Sequence, residues 1–187
     1  MRKLLLLLGC AFLSSALADK LPAVAIQSGQ PREFVEYRML PQLVVPQELQ
    51  GYAEVGSDGV LLKTIQAPYA ETVEIGPDYL KLTRGGRSRR LSLNKQPALA
   101  DFYRGLTALL AGDEEVVNEL FIVTRDDLAD VWRVRCEPRD EQLRGVVQKI
   151  VMSGRQREVE EVLTMQSDDR WQRLVFAPGG SLDVEQR

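Results

Sequence analysis

Two clusters of carboxylates stand where an acid–base pair or a calcium site could form. Thr124-Arg125-Asp126-Asp127-Leu128-Ala129-Asp130 carries one, and Ser167-Asp168-Asp169 the other. A calcium loop needs oxygen ligands at set positions, a central glycine and a distal glutamate. Asp127, Ala129 and Asp130 do not have that spacing, and solvated turns between strands account for both clusters. Arg84-Gly85-Gly86-Arg87-Ser88-Arg89-Arg90 is a basic hairpin that could meet phosphate or anionic lipid head groups. A wet hairpin tip explains it as well. Cys136 lies in Val131-Trp132-Arg133-Val134-Arg135-Cys136, in phase with Trp132 and Val134, and reads as a small buried hydrophobe rather than a nucleophile. Trp132 and Trp171 fall in strands, where core packing is the default. The chain has no histidine, which removes the commonest general base and the commonest metal ligand. With no nucleophile constellation either, no catalytic residue, metal site or cofactor is expected, and an enzyme is the weakest class.

The start of the chain reads as an export signal. Arg2 and Lys3 precede the apolar run Leu4 to Leu8 and Ala11 to Leu13, and Ala16-Leu17-Ala18 is a small-x-small cleavage pattern, so the cut is placed after Ala18. Leu7-Leu8-Gly9-Cys10 also looks like a bacterial lipoprotein signal, which would put a lipid on Cys10, although its apolar core is short. The chain then divides into a signal at 1–18, one domain at 19–180 and a flexible tail at 181–187, and a domain of about 160 residues can bury a real core. Cleavage leaves Cys136 as the one cysteine, so no intramolecular disulfide is expected. Acidic residues outnumber basic ones, 27 to 24, which argues against nucleic acid as a partner.

The elements that would position any site are mostly strands. From Gly51 to Pro97, runs at Tyr52–Val55, Val60–Ile65, Glu71–Ile75, Tyr79–Thr83 and Ser88–Leu93 are separated by Gly-Ser-Asp-Gly, Ala-Pro, Gly-Pro-Asp and Gly-Gly. Such turns are too short for helical crossovers, so these strands are antiparallel neighbours. Val73 and Ile75 share a face, as do Leu80 and Leu82, and Leu91 and Leu93, which gives a meander with one apolar side. Upstream, Leu21 to Gln27 is a candidate short helix, Glu33–Arg38 a strand, and Met39–Glu48 an edge strand or packed loop interrupted by Pro41 and Pro46. Downstream, Pro97 opens a helix with the stripe Leu99, Phe102, Leu106, Leu109 and Leu110, and Gly112 ends it. Asp113 caps a second helix over Glu114–Glu119. Strands follow at Leu120–Arg125, Val131–Glu137, Gly145–Met152, Glu158–Met165 and Arg170–Phe176. About ten strands thus surround one amphipathic helix. Either the sheet folds onto itself and the helix plugs the gap, or a hydrophobic cavity remains beneath the helix.

Phe34-Val35-Glu36-Tyr37-Arg38, Leu40-Pro41-x-Leu43, Gly51, Val60-Leu61-Leu62-Lys63, Pro68 and Glu71-Thr72-Val73-Glu74-Ile75-Gly76-Pro77-Asp78-Tyr79-Leu80 together resemble the periplasmic carriers of outer-membrane lipoproteins. The closer likeness is to the divergent LolA-related branch of that family. Ala111-Gly112-Asp113, the Trp132 strand with Glu137-Pro138-Arg139-Asp140, and Glu160-Glu161-Val162 fit the same pattern. The resemblance implies an incomplete, unclosed antiparallel β-barrel with helices as a lid over a hydrophobic cavity that holds acyl chains. It implies lipoprotein or other acyl-lipid cargo, and as further partners an inner-membrane release complex and an outer-membrane acceptor. Val73, Ile75, Leu80, Leu82, Leu91 and Leu93 are the candidate cavity wall, and Leu99, Phe102, Leu106 and Leu109 the candidate inner face of the lid. The main branch has an Arg-Pro pair whose arginine helps to latch the lid; here those positions hold Ser57 and Asp58, so that latch does not carry over.

The expected role is a periplasmic carrier that shelters acyl chains in transit. The alternatives are an outer-membrane receptor of the same fold anchored through Cys10, and an interaction domain without a ligand.

Overall fold

A computed structural model describes residue 21 and residues 26–177. The signal segment, Cys10, most of the helix expected at Leu21 to Gln27 and the tail lie outside the described residues; Ile26 and Gln27, at the end of that expected helix, are not helical.

Eleven strands form one antiparallel sheet: β1 (Arg32–Met39), β2 (Gln47–Val55), β3 (Leu61–Ala67), β4 (Glu71–Ile75), β5 (Tyr79–Arg84), β6 (Arg87–Ser92), β7 (Phe121–Leu128), β8 (Val131–Pro138), β9 (Val147–Arg155), β10 (Glu158–Gln166) and β11 (Trp171–Phe176). Their spatial order is β6-β5-β4-β3-β2-β1-β11-β10-β9-β8-β7. All but one of these neighbours are joined by short connections, and the exception, β1 with β11, brings the two ends of the domain together. The outer strands β6 and β7 do not pair with each other, so the barrel is open.

The helices α1 (Pro97–Ala111), α2 (Glu114–Leu120) and α3 (Glu141–Arg144) all lie between β6 and β9 in sequence. Proline stands in the first turn of α1, where its missing N–H costs nothing, and Gly112 closes α1 in the left-handed region at φ 75°. Asp113 caps α2 by accepting from the Val116 amide at 3.2 Å, and Asp140 caps α3 by accepting from the Leu143 amide at 3.1 Å. Gly105 on α1 meets the ring of Phe121, leaving no space for a side chain: an added Cβ would stand 2.4 Å from Phe121 Cε2. Arg104 forks onto Glu119 at 2.7 and 3.0 Å and ties α1 to α2.

The two halves of the sheet are covered unequally. On β8 to β10 the inward row Val134, Cys136, Ile150, Met152 and Val162 is fully buried, packed in one cluster with Leu109, Val117, Leu120 and Leu143 from the helices. On β3 to β5 the ends of the inward rows, Leu61, Ile65, Glu71 and Ile75, are buried, but Lys63, Val73, Leu80 and Leu82 between and beside them are only partly so, and every residue of β6 is exposed.

Several boundaries differ from the sequence reading. Among the described residues there are eleven strands rather than about ten. Met39–Glu48 is neither an edge strand nor wholly a loop: β1 runs to Met39, residues 40–46 form the loop, and β2 begins at Gln47 in the interior of the sheet, paired on both sides. The prolines fall inside the loop, so they cost no ladder hydrogen bond. The stretch after Pro138 holds the one-turn helix α3, and β9 starts at Val147 rather than Gly145.

Candidate functional site

A cavity of about 200 Å³ lies between α1 and the less covered half of the sheet. Two cross-strand rows build its wall. Register sets Leu61 opposite Ile75 and Ile75 opposite Leu80; one step along, Lys63 faces Val73 and Val73 faces Leu82. Because side chains alternate, both rows point to the same side. Ala53 of β2 continues the second row. Val162 and Leu174, from β10 and β11, close the cavity from the far half, which the curvature of the sheet brings round. Phe102, Tyr103, Leu106 and Leu110 of α1 form its roof.

Of the candidate wall residues, Val73, Ile75, Leu80 and Leu82 line this cavity. Leu91 does not: it lies on the edge strand β6 and is 38% exposed. With no neighbour beyond it, β6 has no covered face, and Arg87, Arg89 and Arg90 charge it, which suits an edge that must not pair with other chains. Leu93 is buried, but in a short 3-10 turn (Leu93–Lys95) after β6 rather than on the wall. Of the candidate lid residues, Phe102 and Leu106 face the cavity. Leu109 is fully buried in the main core and Leu99 packs against its margin, so the apolar stripe of α1 serves two surfaces.

The sequence reading missed a polar group inside this apolar cavity. Arg38, Lys63 and Glu71 line it, and Glu36 is fully buried beside them. Glu36 accepts from Arg38 Nε at 3.0 Å through one oxygen and from Lys63 Nζ through the other. Burial works to raise the Glu36 carboxyl, but Lys63 and Arg38 outweigh it and hold the group below its ordinary value. Burial pulls the Lys63 ammonium down, and Glu36 opposes that pull. Lys63 also lies over the Phe34 ring at 5.0 Å. On the roof, burial raises the Tyr103 hydroxyl. The alternation of β1 carries the one available signal: Phe34, Glu36 and Arg38 share a phase, so two charged residues follow a core residue on the inward face.

The other chemical candidates resolve into structure. Asp127 pairs with Arg125 at 2.9 Å and Asp168 with Arg170 at 2.6 Å. Among the described residues no group of histidines, cysteines and carboxylates is arranged to hold a metal ion. Cys136 is buried, and burial pushes its thiol up to about 12. Arg84 and Arg90 of the basic hairpin stack over Tyr69 and Tyr79 at 3.6 and 3.8 Å. Ser57 is exposed in the β2–β3 turn.

A family model described as "Outer membrane lipoprotein carrier protein LolA-like" matches residues 16–183. No curated protein matches the sequence. Among solved structures, a LolA superfamily protein from Nitrosomonas europaea is 9% identical, with 84% of this chain and 88% of that chain covered and a TM-score of 0.46. A putative outer membrane lipoprotein-sorting protein domain from Vibrio parahaemolyticus is 10% identical over 84% and 88%, with a TM-score of 0.39. The lipoprotein LppX of Mycobacterium tuberculosis is 6% identical over 82% and 90%, with a TM-score of 0.37.

Proposed function

This chain belongs to the LolA-like family of outer membrane lipoprotein carrier proteins, and we propose that it is a non-enzymatic periplasmic carrier that shelters acyl chains of lipoproteins or related lipids on their way to the outer membrane. The observation that carries this reading is the apolar cavity between α1 and strands β3 to β5. Each methylene moved from water into such a site gains about 0.8 kcal/mol, so a few turns of acyl chain supply the affinity a carrier needs.

The cavity of about 200 Å³ is smaller than the roughly 300–1,000 Å³ of ordinary ligand sites. It holds part of a chain, and a whole acyl group requires α1 to lift from the sheet. The first turns of α1, with Phe102 and Leu106, are the part that lifts: this uncovers Val73, Leu80 and Leu82, which are already only partly buried, while Leu109 near the far end of α1 stays in the core. On this reading Val73, Ile75, Leu80, Leu82, Phe102 and Leu106 touch cargo. Export with cleavage after Ala18 places the working domain, 19–180, in the periplasm, where an inner-membrane release complex loads it and an outer-membrane acceptor empties it.

Native mass spectrometry of the protein purified from its own periplasm without detergent tests the proposal. Excess mass that resolves into an acylated lipid or lipopeptide is the expected result. A bare polypeptide mass that persists after incubation with phospholipid and a triacylated lipopeptide overturns it and leaves an interaction domain. Palmitate labelling of Cys10 in the same cells would instead identify an anchored receptor of the same fold.

A further inference from the structure

The charges inside the cavity balance, but their hydrogen bonds do not. Glu36 and Glu71 offset Arg38 and Lys63 in charge. Both cations, however, donate to Glu36 and neither donates to Glu71 Oε1. Glu71 is only 6% exposed, and its Oε1 is buried with no hydrogen-bond partner among the described residues. The cation directly across the ladder from it, Arg84 on β5, lies instead over the Tyr69 ring at 3.6 Å. A buried carboxylate oxygen left unpaired is costly, more so than a neutral group in the same place. Arg38 uses Nε on Glu36, which leaves its two terminal nitrogens as donors, and it lines the same cavity as Glu71 and Lys63. One end of an apolar cavity therefore offers an unused acceptor beside unused donors.

We propose that this end of the cavity binds the polar group of an acyl ligand that carries both a donor and an acceptor, a secondary amide, with its N–H on Glu71 Oε1 and its carbonyl on Arg38 or Lys63. This rests on the carrier reading above and selects among its cargoes. An ester offers a carbonyl but no donor, so it leaves Glu71 unpaired. A free carboxylate brings a negative charge against Glu71. An N-acyl group satisfies both sides while its chain runs along Val73, Leu82 and Leu106.

Displacement of the fluorescent probe bis-ANS from the purified protein compares N-methylhexadecanamide with methyl hexadecanoate, which share chain length and differ in the donor. The amide is expected to displace the probe at about tenfold lower concentration, the usual worth of a hydrogen bond to a charged group. Glu71→Leu should bring the two concentrations together and leave the melting temperature unchanged or raised, since an unpaired buried charge is gone. Glu71→Gln, which keeps an acceptor and nearly the same shape, should retain a reduced preference and covers the case of a Glu71→Leu chain that does not fold. Equal displacement by both compounds in the natural protein, or a preference that survives Glu71→Leu, overturns the amide assignment while the carrier reading stands. Failure of both compounds to displace the probe overturns both.

Discussion

The Lys63 ammonium on β3 donates to the Glu36 carboxylate on β1, across the intervening strand β2 and beside the cavity under α1. Glu36 is fully buried and also holds Arg38. The carboxylate is therefore the hub, and the two cations are unequal to it in importance. Glu36→Gln leaves two largely buried cations with Glu71 as their one remaining counter-charge in the cavity and should cost about 3 kcal/mol. Lys63→Met leaves Arg38 on Glu36 and should cost clearly less. Urea unfolding of the two variants checks the order, and equal losses would show that Glu36 is not the hub.

The same group sets an acid limit on stability. Glu36 titrates in the folded chain below its ordinary value. The unfolded chain therefore binds the proton first as pH falls, and stability is lost below the ordinary glutamate pKa of about 4.3. The lowered Lys63 value acts with the same sign at high pH, where the unfolded chain again binds more protons, so stability rises as pH climbs toward the ordinary lysine range. The urea midpoint should be lower at pH 3 than at pH 5, and Glu36→Gln should flatten that difference.

Filling the cavity should separate ligand binding from folding. Leu106 faces the cavity from α1 and is only partly buried, so Leu106→Trp can occupy the space at a cost of about 1–3 kcal/mol. Acyl-ligand affinity should fall at least tenfold while far-ultraviolet circular dichroism is unchanged. Undiminished affinity in a folded variant would place the ligand elsewhere.

Gly105→Ala tests how closely α1 must approach the core. Alanine is the better helix former by about 1 kcal/mol. Its Cβ would nevertheless stand 2.4 Å from the ring of Phe121, which is fully buried and cannot move freely. Overpacking of this kind costs about 1–3 kcal/mol, so the substitution should lower the melting temperature despite the gain in propensity. A rise in melting temperature would mean that α1 shifts without penalty.

Cys136 should be inert. Its thiol is pushed up to about 12 by burial, so almost none is thiolate at neutral pH. Ellman's reagent should label it only after denaturation. Rapid labelling of the native protein at pH 8 would show that β8 and β9 open far more readily than their packing indicates.

Most of the strands were legible because their connections are short and punctuated by Asp-Gly, Gly-Pro-Asp and Gly-Gly, and because burial on one side leaves a period of two in Val73 to Ile75, Leu80 to Leu82 and Trp132 to Cys136. Both longer helices were legible from proline at the start of α1, glycine at its end and aspartate before α2, which are local demands of the backbone. The sequence could not tell which apolar residues face the cavity and which face solid core. Leu106 and Leu109 are adjacent on one stripe of α1, yet one roofs the cavity and the other is core, because their surroundings come from strands far apart in the chain. Leu91 alternates like a wall residue and is exposed because β6 has no neighbour, a fact of sheet order rather than of pattern. Glu36, Lys63 and Glu71 lie on three different strands and look like ordinary alternation in each. Local sequence determined the elements; register and curvature, which depend on pairing between distant segments, decided that these charges would meet inside a cavity beneath α1.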